Sequence, residues 1–549
     1  MRLVDVTFWT CALVLLGSLS IPATDVQAQT KFTTGSADPL IEYVNEQIRM
    51  GWEDNEMTPS AVADDAEWIR RVYLDLVGHI PPVDAVESFL SDKDEGKRAK
   101  LIDQLLADPD YVRNFTEVWT NVLIGRNTPD RTSRAGLRKF LRESFARNRP
   151  WNDVVFDLVT ADGHFEENGA VNFILGQLQG NPRSEDYHVE ATARLTRIFL
   201  GMQVQCTQCH NHPFNEWKQN QFWEFNSFLR QTRRVDHDKY DPKTGQNEDD
   251  YSELAFVDFD GPVYYELRNG LVQVAMPTYL GTEVSGDGVD RRDELGRLMC
   301  HDDTEHTVAR AYVNRMWGHF MGYGFTRPVD DMGPHNPASH PDLLERLTEE
   351  FVKSGYDMKQ LNRWICNTEA YNLTSKFNPK NEYDNPAAGE VPLFSHMYVK
   401  TMQAEQLFDS LLLATNAHRS GAGNYDRAEQ QRERWLQDFL RIFGGNEEDE
   451  PTLFSGSIPQ ALLMMNGDLV QKAISTENGS YLNAVLTDSR LKSDPARIRA
   501  LFVSALGRNP TPYELSQLPK MMVKSGTPVA AYQDLYWALL NSNEFIVNH

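Results

Sequence analysis

Apolar positions recur at helical spacing along most of the chain from Asp64 to Arg230. Ile69, Val72, Tyr73 and Leu76 fall on one face of a helix that Asp64 or Asp65 can cap, Gly78 can stop, and Pro81-Pro82 cannot continue. Leu101, Ile102, Leu105 and Leu106 mark a second helix. Asp108-Pro109 opens a third, with Tyr111, Phe115, Val118, Trp119 and Val122 along one side. Leu195, Ile198, Phe199 and Met202 share a face of a further helix. Arg71 and Asp75, one turn apart, read as a solvated ion pair. The pattern changes between His237 and Arg292, a stretch rich in Asp, Gly and Asn. Here Val263–Leu267 and Leu271–Ala275 flank Arg268-Asn269-Gly270, whose Asn-Gly supplies the positive φ of a tight hairpin turn. Helical patterning resumes at Asp293, and no repeat at a fixed period is present. The expectation is a mainly α protein. Two helical domains, 38–231 and 293–549, would flank an acidic insertion at 232–292 that carries a small β-hairpin.

The 549 residues are too many for one ordinary core, and a composition of 41% hydrophobic and 24% charged residues is globular. Lys and Arg number 54 against 79 Asp and Glu, a net charge of −25, which argues against nucleic-acid partners and anionic membranes. The apolar run from Phe8 to Ile21 is short for a membrane span and is followed by Val26-Gln27-Ala28. This reads as a signal peptide over 1–28, with Gln29 as the mature N-terminus and a periplasmic or secreted destination. Once it is removed, Cys206, Cys209, Cys300 and Cys366 are left, too few for a disulfide scaffold.

Candidate chemistry concentrates at Cys206-Thr207-Gln208-Cys209-His210. In an exported protein C-x-x-C-H is the attachment pattern for haem c. Two thiols join one porphyrin edge and the next histidine coordinates iron, so Cys206, Cys209 and His210 are the cofactor-binding candidates. Two other readings stand beside it. Cys206, Cys209 and His212, with His210, form half of a Zn or Fe site, or the cysteines are a redox disulfide or inert. Phe214, Trp217, Phe222, Trp223, Phe225 and Phe228 follow closely and are candidates for the walls of a haem pocket.

A second polar cluster, His319, Asp330, Asp331, His335 and His340, lies on a helix and the Gly/Pro-shaped loop that follows it. There Asp and His are suited to a metal or acid–base site. Cys300-His301 with Asp302, Asp303 and His306 is denser but ranks lower. The metal reading gathers His210, His212, Asp330, Asp331 and His335.

Arg70–Leu76 followed by His79-Ile80-Pro81-Pro82, and then Cys206–Phe214, resemble the planctomycete cytochrome-c-like domain, domain of unknown function 1549. Val313–Phe320, Pro328–Pro337, Ser339–Pro341, Thr401–Leu407, Gln460–Asn466 and Asn541–Phe545 resemble its companion, domain of unknown function 1553. The resemblance implies an exported, mostly helical protein and no particular reaction. Many members have Asp where this chain has Asn211. The sequence therefore predicts an extracytoplasmic haem-c protein with a redox role and an unknown redox partner. The alternatives are a metal-dependent hydrolase acting on an extracellular polymer, or a non-catalytic scaffold. If the two motifs share one site, the loop around Met332, His335 and His340 closes over Cys206–His212.

Overall fold

Asp64 accepts hydrogen bonds from the backbone N–H groups of Ala66 and Glu67 and so starts the helix Asp65–Val77, which ends at Gly78 with φ +78°. Asp108 caps Pro109–Ile124 in the same way. The computed structural model describes residues 38–178, 180–284, 288–443, 458–517 and 525–549, and the expected export segment at 1–28 lies outside them. The chain is mainly helical, with a small β region around residues 232–283. Among the described residues no helix is long and apolar enough to cross a membrane.

The expected hairpin forms from Val263–Glu266 and Val272–Ala275, with Gly270 at φ +82° in its turn. The longest strands were not expected. Thr232–Asp241 and Gln246–Phe256 pair antiparallel as a polar ribbon, and Gly163–His164 adds a third strand beside Leu254 and Glu253. Apart from Thr232 at its base, the ribbon buries only Ser252 and Leu254. It therefore lacks the in–out alternation that marks a strand resting on a core.

One apolar core runs from Leu40 to Tyr398 and is built on Trp68, Trp119, Trp151, Tyr312, Trp317 and Phe351. A second gathers residues from Met402 to Phe545 and also takes Leu74 and Ile80 from the first helices. Polar clamps join the two. Arg70 donates to the carbonyls of Ala505 and Phe545, and Arg71 reaches the His549 carbonyl while also holding those of Tyr371 and Leu373 within the first core. Arg71 and Asp75 are thus not a solvated pair: both are buried, Arg71 bonds Glu67, and Asp75 bonds Lys400.

Candidate functional site

The helix Val189–Phe199 closes with Gly201 at φ +65° and with Met202 N–H bonded back to the Thr196 carbonyl at 3.1 Å. The chain then enters a short 3₁₀ turn, Gln205–Gln208. Residues three apart eclipse one another in such a turn. Cys206 and Cys209 are therefore both exposed free thiols on one side, while Thr207 between them is buried and donates to the Val204 carbonyl at 2.6 Å. That geometry accounts for the C-x-x-C spacing.

The segment after the motif is held by side-chain hydrogen bonds. His210 Nδ1 lies 2.6 Å from the Asn211 carbonyl, which can only accept. Nδ1 therefore carries the proton and Nε2 keeps its lone pair, the arrangement found in metal-ligating histidines. Asn211 Oδ1 accepts from Gln219 N–H at the start of the helix Gln219–Asn226, a cap that Asp would supply equally well. His212 differs from His210. Its Nδ1 accepts from the backbone N–H of Phe214 and of Asn215, at 3.2 and 3.0 Å, so the proton sits on Nε2.

The second motif approaches from the loop after the helix Thr307–Met321. Buried Asn314 fastens that loop, donating to Thr326 Oγ1 and the Val329 carbonyl and accepting from Phe325 N–H. Met332 N–H bonds the Gly201 carbonyl at 2.7 Å. A Cβ on Gly201 would lie 2.4 Å from the Met332 methyl, so this close approach requires glycine. The docked loop places His335 opposite His212, with ring centroids 5.5 Å apart. His335 Nε2 bonds Asp331 Oδ1 at 3.0 Å, and its buried Nδ1 has no hydrogen-bond partner.

Cys206, His212, Asp331 and His335 together line one cavity of about 450 Å³. Glu190, Arg194 and Arg197 form its far wall. These three were not singled out from the sequence, although their i, i+4, i+7 spacing is a polar stripe opposite the Leu195–Phe199 face. Burial, and then the Asp331 charge, push the Cys206 thiol up, so a reactive thiolate is disfavoured. Burial and the neighbouring His335 push His212 down, against the opposing charge of Asp331.

The remaining candidates lie elsewhere or are already engaged. Asp330 bonds Arg197 at 2.9 Å and Gln203 at 2.9 Å and pairs with Arg315 at 3.5 Å. Burial raises its carboxyl, but Arg315 and Arg197 outweigh that and leave it below the usual carboxylate range. His319 Nε2 bonds the Asp75 carbonyl inside the core. His340 is buried against Gly51 and Phe394, and burial pushes it down to about 4. Cys300 is buried, which raises its thiol.

For a haem the donor set fits: two free, exposed thiols on one turn beside a histidine with an available Nε2. The walls differ from the expectation. Phe222 and Trp223 pack with Val189, Val204 and Tyr265, and Phe225 and Phe228 join the main core, while Phe214 is 78% exposed. These aromatics complete the core around the motif and leave the cavity polar. For Zn or Fe, no group of three or more His, Cys, Asp or Glu side chains among the described residues is arranged to hold a metal ion. Asp330 is committed to arginines, and His212 Nδ1 to backbone donors.

Two family models match the chain. PSCyt2, a protein of unknown function (DUF1549), covers residues 43–234, and PSD1, a protein of unknown function (DUF1553), covers 291–522. No curated protein and no solved structure matches.

Proposed function

Because this chain is one in which a PSCyt2 (DUF1549) domain precedes a PSD1 (DUF1553) domain, we propose that it is an extracytoplasmic haem-c protein with an electron-transfer or redox role. The carrying observation is the turn at Cys206–His210. Both thiols are free and exposed on one side, and the Asn211 carbonyl holds the imidazole with Nε2 as its lone-pair nitrogen. Cys206 and Cys209 would hold the porphyrin through thioethers, and His210 Nε2 would be the ligand on the iron. Bound there, a haem supplies one-electron chemistry. The residues of the second domain contribute a polar environment beside it. Asp331 fixes the orientation of His335, and Arg197 and Gln203 fix Asp330, so the charges next to the site are held in place.

The test is covalent attachment. The chain is produced with its export segment in a bacterium that has haem-attachment machinery, and a denaturing gel is stained for haem peroxidase activity. Stain on the mature band, weakened or lost in Cys206→Ser and Cys209→Ser, is the expected outcome. A colourless wild-type protein overturns the proposal. Elemental analysis of that colourless protein then decides between a metal ion and none.

A further inference from the structure

The hairpin of Val263–Glu266 and Val272–Ala275 rests on the core through its first strand. Val263 and Tyr265 are buried with Phe222 and Trp223, and Tyr265 stacks on Trp223 with ring centroids 5.9 Å apart. Gln219 donates to the Glu266 carbonyl at 3.0 Å, which ties the outer edge of that strand to the helix Gln219–Asn226. The second strand has no such cover. Ala275 is buried at its end, but Leu271, Val272, Gln273 and Val274 are exposed in succession, Val272 at 62% and Val274 at 55%. Successive strand residues point to opposite faces, so both faces of this strand are bare. Tyr264 lies opposite Val274 and extends the apolar strip on the outer face.

The edge of the strand is bare as well. Leu267 N–H bonds the Leu271 carbonyl at 2.8 Å. The alternation of an antiparallel ladder then turns the backbone groups of Gln273 and Ala275 toward the first strand and those of Val272 and Val274 away from it. Among the described residues no group bonds the N–H or C=O of Val272 or Val274 on that outer side. A row of such groups is a template for another strand.

The other long edge in the molecule is defended against pairing, and this one is not. The ribbon of Thr232–Asp241 and Gln246–Phe256 shifts register between His237 and Asp238 and carries Arg233, Asp236, Asp238 and Lys239 on its outer strand. Bulges and charges of that kind keep strand edges apart. The hairpin has an unbroken register, and no residue from Asn269 to Thr282 is charged. That neutrality selects the partner. In a chain of net charge −25, a cationic protein is drawn to the acidic surface elsewhere and an anionic one is repelled. A second copy meets this strip with no like charges opposed. The strand is also self-complementary. Antiparallel pairing about Gln273 sets Val272 of each copy against Val274 of the other, so the outward N–H and C=O groups of both residues are satisfied and their side chains form cross-strand valine pairs.

We infer that this edge pairs with the same edge of a second copy of the chain, giving an isologous dimer in which the two hairpins form one continuous sheet. The interface needs neither the thiols nor a cofactor, so it stands or falls separately from the haem reading.

Sedimentation equilibrium of the full mature chain over a range of micromolar concentrations is the test. The contact is small, so a monomer–dimer equilibrium with a micromolar Kd is expected. Added salt should tighten it several-fold, because it screens the repulsion between two acidic copies and there are no ion pairs across the strip to weaken. Val272→Lys and Val274→Lys should each weaken the dimer about tenfold or more. Both side chains face solvent, so the variants should keep the Tm that wild type shows when dilute and monomeric, which separates lost pairing from lost folding. Gln273→Cys places two thiols across the two-fold axis at the spacing of a non-hydrogen-bonded pair, and oxidation should link the chains there. Peptide mapping distinguishes that link from any through Cys206 or Cys209. A chain that stays monomeric at high concentration and high salt overturns the inference. A dimer whose Kd neither lysine variant changes overturns it too, as does capture of a different protein by this edge without self-association.

Discussion

Around Asp75, Lys400 donates to the Asp75 carboxylate at 2.6 Å and to the carbonyls of His319 and Phe320 at 2.9 and 2.8 Å, using every ammonium proton. Tyr371 and Asn548 donate to the same carboxylate, at 2.8 and 2.7 Å. Around Cys206, two thiols are exposed and unpaired, and a buried histidine nitrogen on the facing loop has no partner. Both clusters join residues far apart in sequence, and both are rich in charge. They differ in what is left over. The Asp75 cluster is buried and engaged with itself, which suits a fastening. The Cys206 cluster opens on a cavity and keeps donor atoms in reserve, which suits a site.

The largest effect that would break this contrast is on stability. Asp75→Ala strips the carboxylate from a buried ammonium and should cost about 3–5 kcal/mol of unfolding free energy. His335→Ala, at the edge of a cavity, should cost about 1 kcal/mol or less. Urea unfolding of the two variants beside wild type makes the comparison. Equal losses would mean that the Cys206 cavity is as much a fastening as the Asp75 cluster.

Acid should separate buried from cavity-lining histidines next. Burial pushes His188 and His340 down to about 4, in part offset for His188 by its bond to the Thr232 carbonyl. The unfolded chain takes up a proton near pH 6.5, and the folded chain does so only near 4. Stability is therefore full above pH 6.5 and declines as the pH falls toward 4, by about 3 kcal/mol for each histidine. Urea midpoints measured at pH 7, 5.5 and 4.5 should track that decline. His188→Gln should flatten it, and a decline unchanged in that variant would remove His188 as a cause.

The local grammar of the sequence carried most of the fold. Asp64, Asp108-Pro109, Gly78 and Asn269-Gly270 act through neighbours within a few residues, so their caps and turns are legible without the rest of the chain. Partners that lie far away are not. Arg71 looks like any surface arginine until Tyr371 and Leu373, some 300 residues on, bring carbonyls to it. The polar ribbon is not legible in the sequence because it is exposed along most of its length. At the site, the cysteines, His212, Asp331 and His335 stood out as residue types, and the structure gathers four of them round one cavity. Asp330 is chemically indistinguishable from Asp331 in the sequence, and only the placement of Arg197 and Arg315 sets them apart.

The smallest expected effect on stability falls on the residues most important to the proposed function. Cys206 and Cys209 are exposed and form no disulfide, so Cys206→Ser and Cys209→Ser in the cofactor-free protein should change unfolding free energy by no more than about 0.5 kcal/mol. Thr207 lies between them, is fully buried, and donates to the Val204 carbonyl. Thr207→Val keeps the shape and the backbone N–H bond to that carbonyl at 2.9 Å but loses the hydroxyl's bond, and should cost about 1 kcal/mol. In haem content the order reverses: Thr207→Val should retain the stain that both cysteine variants lose. The turn thus separates its own roles, since the inward residue sets the geometry and the outward pair does the binding. Haem content that follows measured stability across all three variants would collapse that separation and make the cysteines structural after all.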